Sequence, residues 1–195
     1  MSILFEPFDL GHLHIKNRYA VCPMGTIHGP DGGVNEAQKA YIVERAKGGF
    51  GIVYPSAHTV TLKYERPMFS GNFLCTDSHQ AALKDLVDEV HKYGSLFAVQ
   101  LTPGYGRVNA GFPFEYEGLP VTTHVSASDN TVFYYPDYRC KVLTVEEIHE
   151  LVEDMGKAAC MAKAAGVDII EIHSYGGYLI DQFMSKLWNR RIDEY

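Results

Sequence analysis

What the sequence lacks narrows its function before any motif is read. Positive charge is scarce: seventeen Lys and Arg stand against twenty-four Asp and Glu, a formal net charge of −7. With no basic face to neutralise phosphates, nucleic acid is not expected as a partner. No run approaches the roughly 18 apolar residues a membrane-spanning helix needs. Met1 to Phe8 has no basic region followed by an apolar run of the kind that directs secretion. The expectation is a cytoplasmic protein without a membrane partner. The four cysteines, Cys22, Cys75, Cys140 and Cys160, form no C-x-x-C pair, so neither a zinc site nor a dense disulfide framework is indicated and no metal is predicted. What is present is apolar material: 46% hydrophobic and 12% aromatic over 195 residues, enough to bury a core.

Short apolar runs alternate with longer amphipathic segments, the pattern of strand–helix units in a parallel sheet. Four units can be read. Arg18 to Cys22 is the first strand, followed by a helix over Glu36 to Lys47 with a stripe of Ala37, Ala40, Tyr41, Val43 and Ala46 before Gly48-Gly49. Phe50 to Tyr54 is the second strand, and its helix, Asp77 to Tyr93, starts at an Asp or Ser cap and carries Leu83, Leu86, Val87 and Val90 on one face. Ser95 to Gln100 is the third. Thr144 opens a capping box with Glu147 for a helix to Ala165, and Val167 to His173 is the fourth strand. Phe5 to Ile15 reads as a hairpin that can plug one end of a barrel. Pro103 to Leu143 has no clear periodicity but many rings, including Phe112, Phe114, Tyr116, Phe133, Tyr134, Tyr135 and Tyr138. Either these rings pack the loop onto the fold or some of them wall a substrate pocket.

Repeated strand–helix units fit an open doubly wound sheet or a closed eight-stranded barrel. Pro23-Met24-Gly25-Thr26 is no G-x-G-x-x-G, and no helix follows it directly, which weakens the dinucleotide-fold reading. In a barrel the working residues lie at the C-terminal strand ends. Here those are Cys22 to Thr26, Pro55 to Ala57, Gln100 to Thr102, and His173 to Tyr178. Small residues at two ends, an amide at the third, and a His with a Tyr at the fourth suit a flat polar heterocycle better than a metal. Gln100 can bond both a donor and an acceptor on such a ring, and, ending an apolar run, it needs a partner to offset its burial.

The stretches Leu4-Phe5-Glu6-Pro7-Phe8, Leu13 to Arg18 and Pro23-Met24 resemble the opening of the Old Yellow Enzyme and NADH:flavin oxidoreductase family. Glu171-Ile172-His173, Gly177-Tyr178-Leu179, Gln182-Phe183 and Asn189 to Tyr195 resemble its fourth-strand region. Gly25-Thr26 and Gln100-Leu101-Thr102 leading to Gly106-Arg107 are most similar to the branch of enoate reductases, 2,4-dienoyl-CoA reductases and bile-acid-modifying reductases. The resemblance implies a TIM (β/α)8 barrel, α/β in class, of which residues 1–195 are the N-terminal half. A full barrel of this type takes about 250 residues and eight strands, so the chain is expected to be a truncated barrel of four strand–helix units, inactive by itself.

The resemblance further implies FMN as cofactor, with NADH or NADPH as reductant, and confines any iron–sulfur cluster to a C-terminal part beyond this chain. Pro23, Met24 and Gly25 match the loop against the flavin, Ala57 the small residue under its ring, and Gln100 the amide on its pyrimidine edge. Each small residue taken alone equally suits any tight strand-to-loop turn. The implied substrate is a small unsaturated carbonyl compound, an enone, enoate or enoyl thioester, whose β-carbon receives hydride. Tyr178 matches the acid that protonates the α-carbon, loaded as a donor because a phenol titrates near 10. His173 matches the residue that bonds the substrate carbonyl. The sequence departs from the family where Gly176 replaces a usual His or Asn, and where Pro103-Gly104-Tyr105 replaces a usual His. A homo-oligomer is compatible with all of this. The competing readings are a catalytically dead remnant of the same barrel, favoured by Gly176, and an aldolase or isomerase barrel, disfavoured because no lysine ends a strand.

Overall fold

In the computed structural model, which describes residues 2–26, 28–68 and 71–195, the chain opens on an antiparallel hairpin of β1 (Phe8–Leu10) and β2 (Leu13–Ile15). Ile15 is wholly buried. Just after it, Lys16 donates to the Tyr93 carbonyl at 2.8 Å and Asn17 to the Gly49 carbonyl at 2.7 Å. Both carbonyls lie ahead of sheet strands, so the hairpin covers the N-terminal end of the sheet, as the plug reading expects.

The remaining elements are β3 (Ala20–Val21), α1 (Glu36–Lys47), β4 (Ile52–Val53), β5 (Ala57–Thr59), β6 (Asn72–Phe73), α2 (Asp77–His91), β7 (Leu96–Thr102), β8 (Val125–Ser126), β9 (Lys141–Val142), α3 (Val145–Ala164), β10 (Ile169–Ile172) and α4 (Leu179–Met184). The main sheet is parallel throughout, with β3 beside β4, β4 beside β7, and β10 on the far edge of β7. Its β5 pairs β7 in turn and carries β6. Gln100 and Leu101 each pair with both β5 and β10, so those two strands flank β7 on opposite edges.

β5 continues β4 along the same edge, with a bulge between them. Four steps of chain take Val53 to Ala57, whereas three take their partners Phe97 to Gln100. The one extra residue bends the strand and resets which side chains face inward beyond it. The sequence reading ended the second strand at Tyr54 and so missed both β5 and its partner β6.

Alternation along β7 divides two environments. Phe97, Val99 and Leu101 point outward into a core with Leu83, Leu86, Val87 and Val90 of α2 and Ala158 and Ala162 of α3. Burying each of the Val, Leu and Phe side chains contributes about 1.5–3 kcal/mol. Ala98, Gln100 and Thr102 face the other way, into the barrel interior. On β10, Ile170 and Ile172 are in register with Val99 and Leu101 and are exposed on that outward face.

Local chemistry sets the helices. The capping box is present as expected: Glu147 N–H donates to Thr144 Oγ1 at 3.2 Å and Thr144 N–H to Glu147 Oε2 at 3.1 Å. For α2 the cap is Thr76, whose hydroxyl accepts from His79 N–H, rather than the Asp or Ser expected. The expected α1 stripe needs a larger correction. Ala37, Ala40 and Tyr41 face solvent, while Gln38, Ile42, Val43 and Ala46 are buried. A polar residue takes the inner face because its amide is satisfied there: Gln38 and Asn72 exchange hydrogen bonds of 2.7 and 2.9 Å. The segment read as aperiodic holds β8, β9 and a 3-10 turn at Gly106–Val108. Strands β8 and β9 pair in parallel and stand outside the main sheet.

Candidate active site

A cavity of about 400 Å³ opens at the C-terminal ends of the barrel strands. Every residue named from sequence as cofactor-binding or catalytic lines it: Pro23, Met24, Gly25, Ala57, Gln100, His173 and Tyr178. Pro23 to Gly25 follow β3, Ala57 begins β5, Gln100 lies in β7, and His173 directly follows β10, held by its N–H to the Leu101 carbonyl at 2.9 Å. The parallel register brings together residues from far apart in the chain. Met24 reaches the cavity while 63% exposed, so it rims the opening.

His173 is 4% exposed and its Nδ1 has no hydrogen-bond partner among the described residues. Its ring is covered by two tyrosines: Tyr175 lies parallel at 4.5 Å and Tyr178 tilted at 4.7 Å. Burial lowers the His173 pKa, so the imidazole is held neutral near pH 7. A neutral, desolvated imidazole therefore lines the cavity, with its unpartnered Nδ1 buried rather than open to it. Burial likewise raises the Tyr178 pKa, with smaller contributions from Tyr134 and Tyr175. The phenol therefore stays protonated across the neutral range.

The turn that presents Tyr178 is fixed from α4. Asp181 accepts from Gly177 N–H at 2.7 Å, and the wholly buried Gln182 donates to the Gly177 carbonyl at 2.7 Å. The same Gln182 amide donates to the Tyr105 carbonyl at 3.2 Å and accepts from Ser126 Oγ at 2.8 Å. One satisfied amide thus ties the Tyr178 turn to the loop after β7. That loop sends Tyr105 edge-on against Tyr178, ring centroids 4.7 Å apart at 84°. Tyr105 N–H in turn donates at 2.7 Å to Glu65, a buried carboxylate.

The site has four further contributors to which the sequence assigned no definite role. Tyr105, Tyr134 and Tyr175 line the cavity, and Glu171 bonds Gln100 beneath it. Gln100 thus has a protein partner, so its burial by itself did not require a ligand. The ring-rich segment serves both readings left open for it: Tyr134 faces the cavity, while Phe112, Phe114, Tyr116, Tyr135 and Tyr138 pack on one another. The one available signal for Glu171 was a charge inside the apolar run Ile169 to Ile172.

Fold and site together define a parallel strand–helix half-barrel with a cavity at its strand ends, in which a histidine and a tyrosine converge. The chain belongs to the NADH:flavin oxidoreductase / NADH oxidase family, whose model matches residues 3–195. It is 34% identical to a cinnamate reductase of Clostridium sporogenes, over all of this chain and 29% of that protein. Against an NADPH dehydrogenase of Listeria monocytogenes it is 37% identical over all of this chain and 55% of the relative. A solved structure of morphinone reductase in complex with tetrahydroNAD superposes with a TM-score of 0.84 at 27% identity, covering 100% of this chain and 55% of that one. The fold is that of the first four strand–helix units of an Old Yellow Enzyme barrel, and the chain spans between about a third and about half of the length of these relatives.

Proposed function

We propose that residues 1–195 are the N-terminal half of an FMN-binding barrel that reduces the activated C=C bond of an enone, enoate or enoyl thioester with NADH or NADPH. The observation that carries this reading is the convergence, in one cavity, of the neutral His173 ring and the protonated Tyr178 with Pro23, Met24, Gly25, Ala57 and Gln100. Membership of the flavin oxidoreductase family supports it, and so does a cinnamate reductase among the relatives, because cinnamate is itself an enoate.

The residues fit a flavin ring. No heavy atom lies within 4 Å of where a Cβ at Gly25 would stand, so that loop leaves room for a flat group. Ala57 projects only a methyl into the slot, and Gln100 offers both hydrogen-bond senses to a polar ring edge. Bound there, FMN would take hydride from a reduced nicotinamide and deliver it to the alkene β-carbon.

His173 would donate to the substrate carbonyl, polarising the alkene and holding the charge that develops on oxygen as the β-carbon is attacked. Tyr178 would then transfer its hydroxyl proton to the α-carbon. Tyr105, packed edge-on, limits the angles that the Tyr178 ring can take.

The test is direct. The purified enzyme should be yellow, release FMN on acid treatment, bleach anaerobically with NADH or NADPH, and recover its colour on adding cinnamate or a cyclic enone. Release of FAD, absence of flavin, or a reduced flavin that no unsaturated carbonyl compound reoxidises would overturn the reading.

A further inference from the structure

The fourth barrel strand carries a single charge in an otherwise apolar run, Glu171 among Ile169, Ile170 and Ile172. Glu171 is in register with Gln100, so both side chains face the barrel interior. There Gln100 Nε2 donates to the Glu171 carboxylate. Tyr54, just beyond β4, approaches the same acid: burial first, and then the neighbouring Glu171 charge, push its hydroxyl up to about 12. Gln100 and Glu171, from adjacent barrel strands, therefore meet below the cavity, with Tyr54 beside the acid.

The chemistry of that carboxylate sets an orientation. A glutamine amide by itself can present its oxygen and its NH2 in either order, since the two ends have nearly the same shape. An ionised carboxylate only accepts, so it selects the NH2 end, and hydrogen bonds to a charged partner are roughly twice as strong as neutral ones. With Nε2 held by Glu171, the order of Oε1 and the second N–H on the Gln100 amide, itself a wall of the cavity, is fixed. Glu171 does not line the cavity and acts only through Gln100.

We propose that Glu171 is a positioning residue that locks the Gln100 amide in a single acceptor–donor order, matched to a ring edge with an N–H beside a C=O, as in a pyrimidinedione. The inference rests on the FMN reading above and adds to it the residue that sets the polarity of the recognition. The same negative charge behind the ring edge opposes the addition of electrons to a bound ring.

The experiment titrates FMN into apoenzyme prepared from the holoenzyme, following flavin fluorescence, and measures the flavin midpoint potential. Glu171→Gln keeps the shape but introduces an NH2 of its own and removes the charge. FMN binding should weaken about tenfold, and the potential should rise. Tyr54→Phe removes the neighbouring hydroxyl but leaves the Gln100 lock, so affinity should stay at the parent value. In a double-mutant cycle, Gln100→Leu with Glu171→Gln should bind no more weakly than Gln100→Leu alone. Should Glu171→Gln not fold, Glu171→Asp keeps the charge but shortens the reach, and should weaken binding with little change in potential. Parent-like affinity in a folded Glu171 variant, or full additivity in the cycle, would overturn the inference and leave the FMN reading standing. A parent protein that binds no FMN would overturn both.

Discussion

The Tyr175 ring lies parallel to His173, centroids 4.5 Å apart and planes 8° apart, while Tyr175 itself is exposed. With Tyr178 it covers the histidine ring. Burial lowers the His173 pKa, so removing the cover should raise it toward its ordinary value of about 6.5. In Tyr175→Ala, the alkene-driven reoxidation of reduced flavin should respond to pH closer to that value, as the imidazole becomes protonated on the acid side. Tyr175→Phe keeps the ring and should keep the parent profile. Stopped-flow absorbance across a pH series reads both, and an alanine variant with an unmoved profile would show that Tyr175 does not control the His173 environment.

Tyr178→Phe should separate the two half-reactions. Flavin reduction by nicotinamide should remain close to the parent rate, while reoxidation by the alkene slows by about a hundred- to ten-thousand-fold, the usual contribution of a general acid. Reoxidation at the parent rate would assign the proton to another group or to water.

Gly176 behaves differently from what its place in the sequence suggests. Read as a lost carbonyl donor, it invites replacement by His or Asn. Its φ is +77°, however, in the left-handed region that costs an ordinary residue about 1–2 kcal/mol. A Cβ there would sit 3.7 Å from Tyr178 and 3.9 Å from His173. Those are ordinary contacts, so the backbone sets the cost, and Gly176→His should lose about 1 kcal/mol of stability in chemical denaturation. Asn tolerates this backbone better, so Gly176→Asn should be the milder change. A histidine variant as stable as the parent would mean that the turn relaxes to a different backbone.

His58 provides a pH handle on stability. It is 1% exposed, and burial pushes its pKa down to about 4, only partly offset by the Ser56 backbone. The folded state thus binds its proton later than the unfolded chain, whose histidine titrates near 6.5. The stabilisation is complete above that value and is lost as pH falls from about 6.5 to about 4, by up to about 3 kcal/mol. Urea denaturation at a series of pH values should show this slope, and His58→Leu should flatten it. An equal slope in both proteins would place the acid sensitivity elsewhere.

Glu147 closes the capping box, bonds the Tyr64 hydroxyl at 2.8 Å and pairs with Lys141. Replacing it with alanine should cost about 1–2 kcal/mol, the range of a lost cap, measured by the same denaturation. A loss within a few tenths would mean that the α3 start is held mainly by packing.

How much of this was legible beforehand depends on the range of the interaction concerned. The α3 start could be read because Thr144 and Glu147 are three residues apart and bond each other. The α2 face, Leu83, Leu86, Val87 and Val90, followed helical spacing and is buried as expected. The α1 face could not be read by the same rule. Gln38 turns inward only because Asn72, across the fold, satisfies its amide. The second barrel strand failed for a related reason, since the bulge before Ala57 exists only in its pairing with β7.

The sequence by itself brought Pro23, Met24, Gly25, Ala57, Gln100, His173 and Tyr178 to one place, because a parallel barrel must bring its strand ends to one side and the chain names those ends in order. Only the tertiary structure decided how they are held. The orientation of Gln100 comes from Glu171, seventy-one residues further on. His173 is covered by a ring two positions away, just before a turn of positive-φ glycines, and Tyr178 is braced by Tyr105 from another loop. Local sequence encodes backbone preference and periodicity. Amide orientation, ring stacking and burial arise between segments that no spacing rule connects, and they are settled only when the sheet brings those segments into contact.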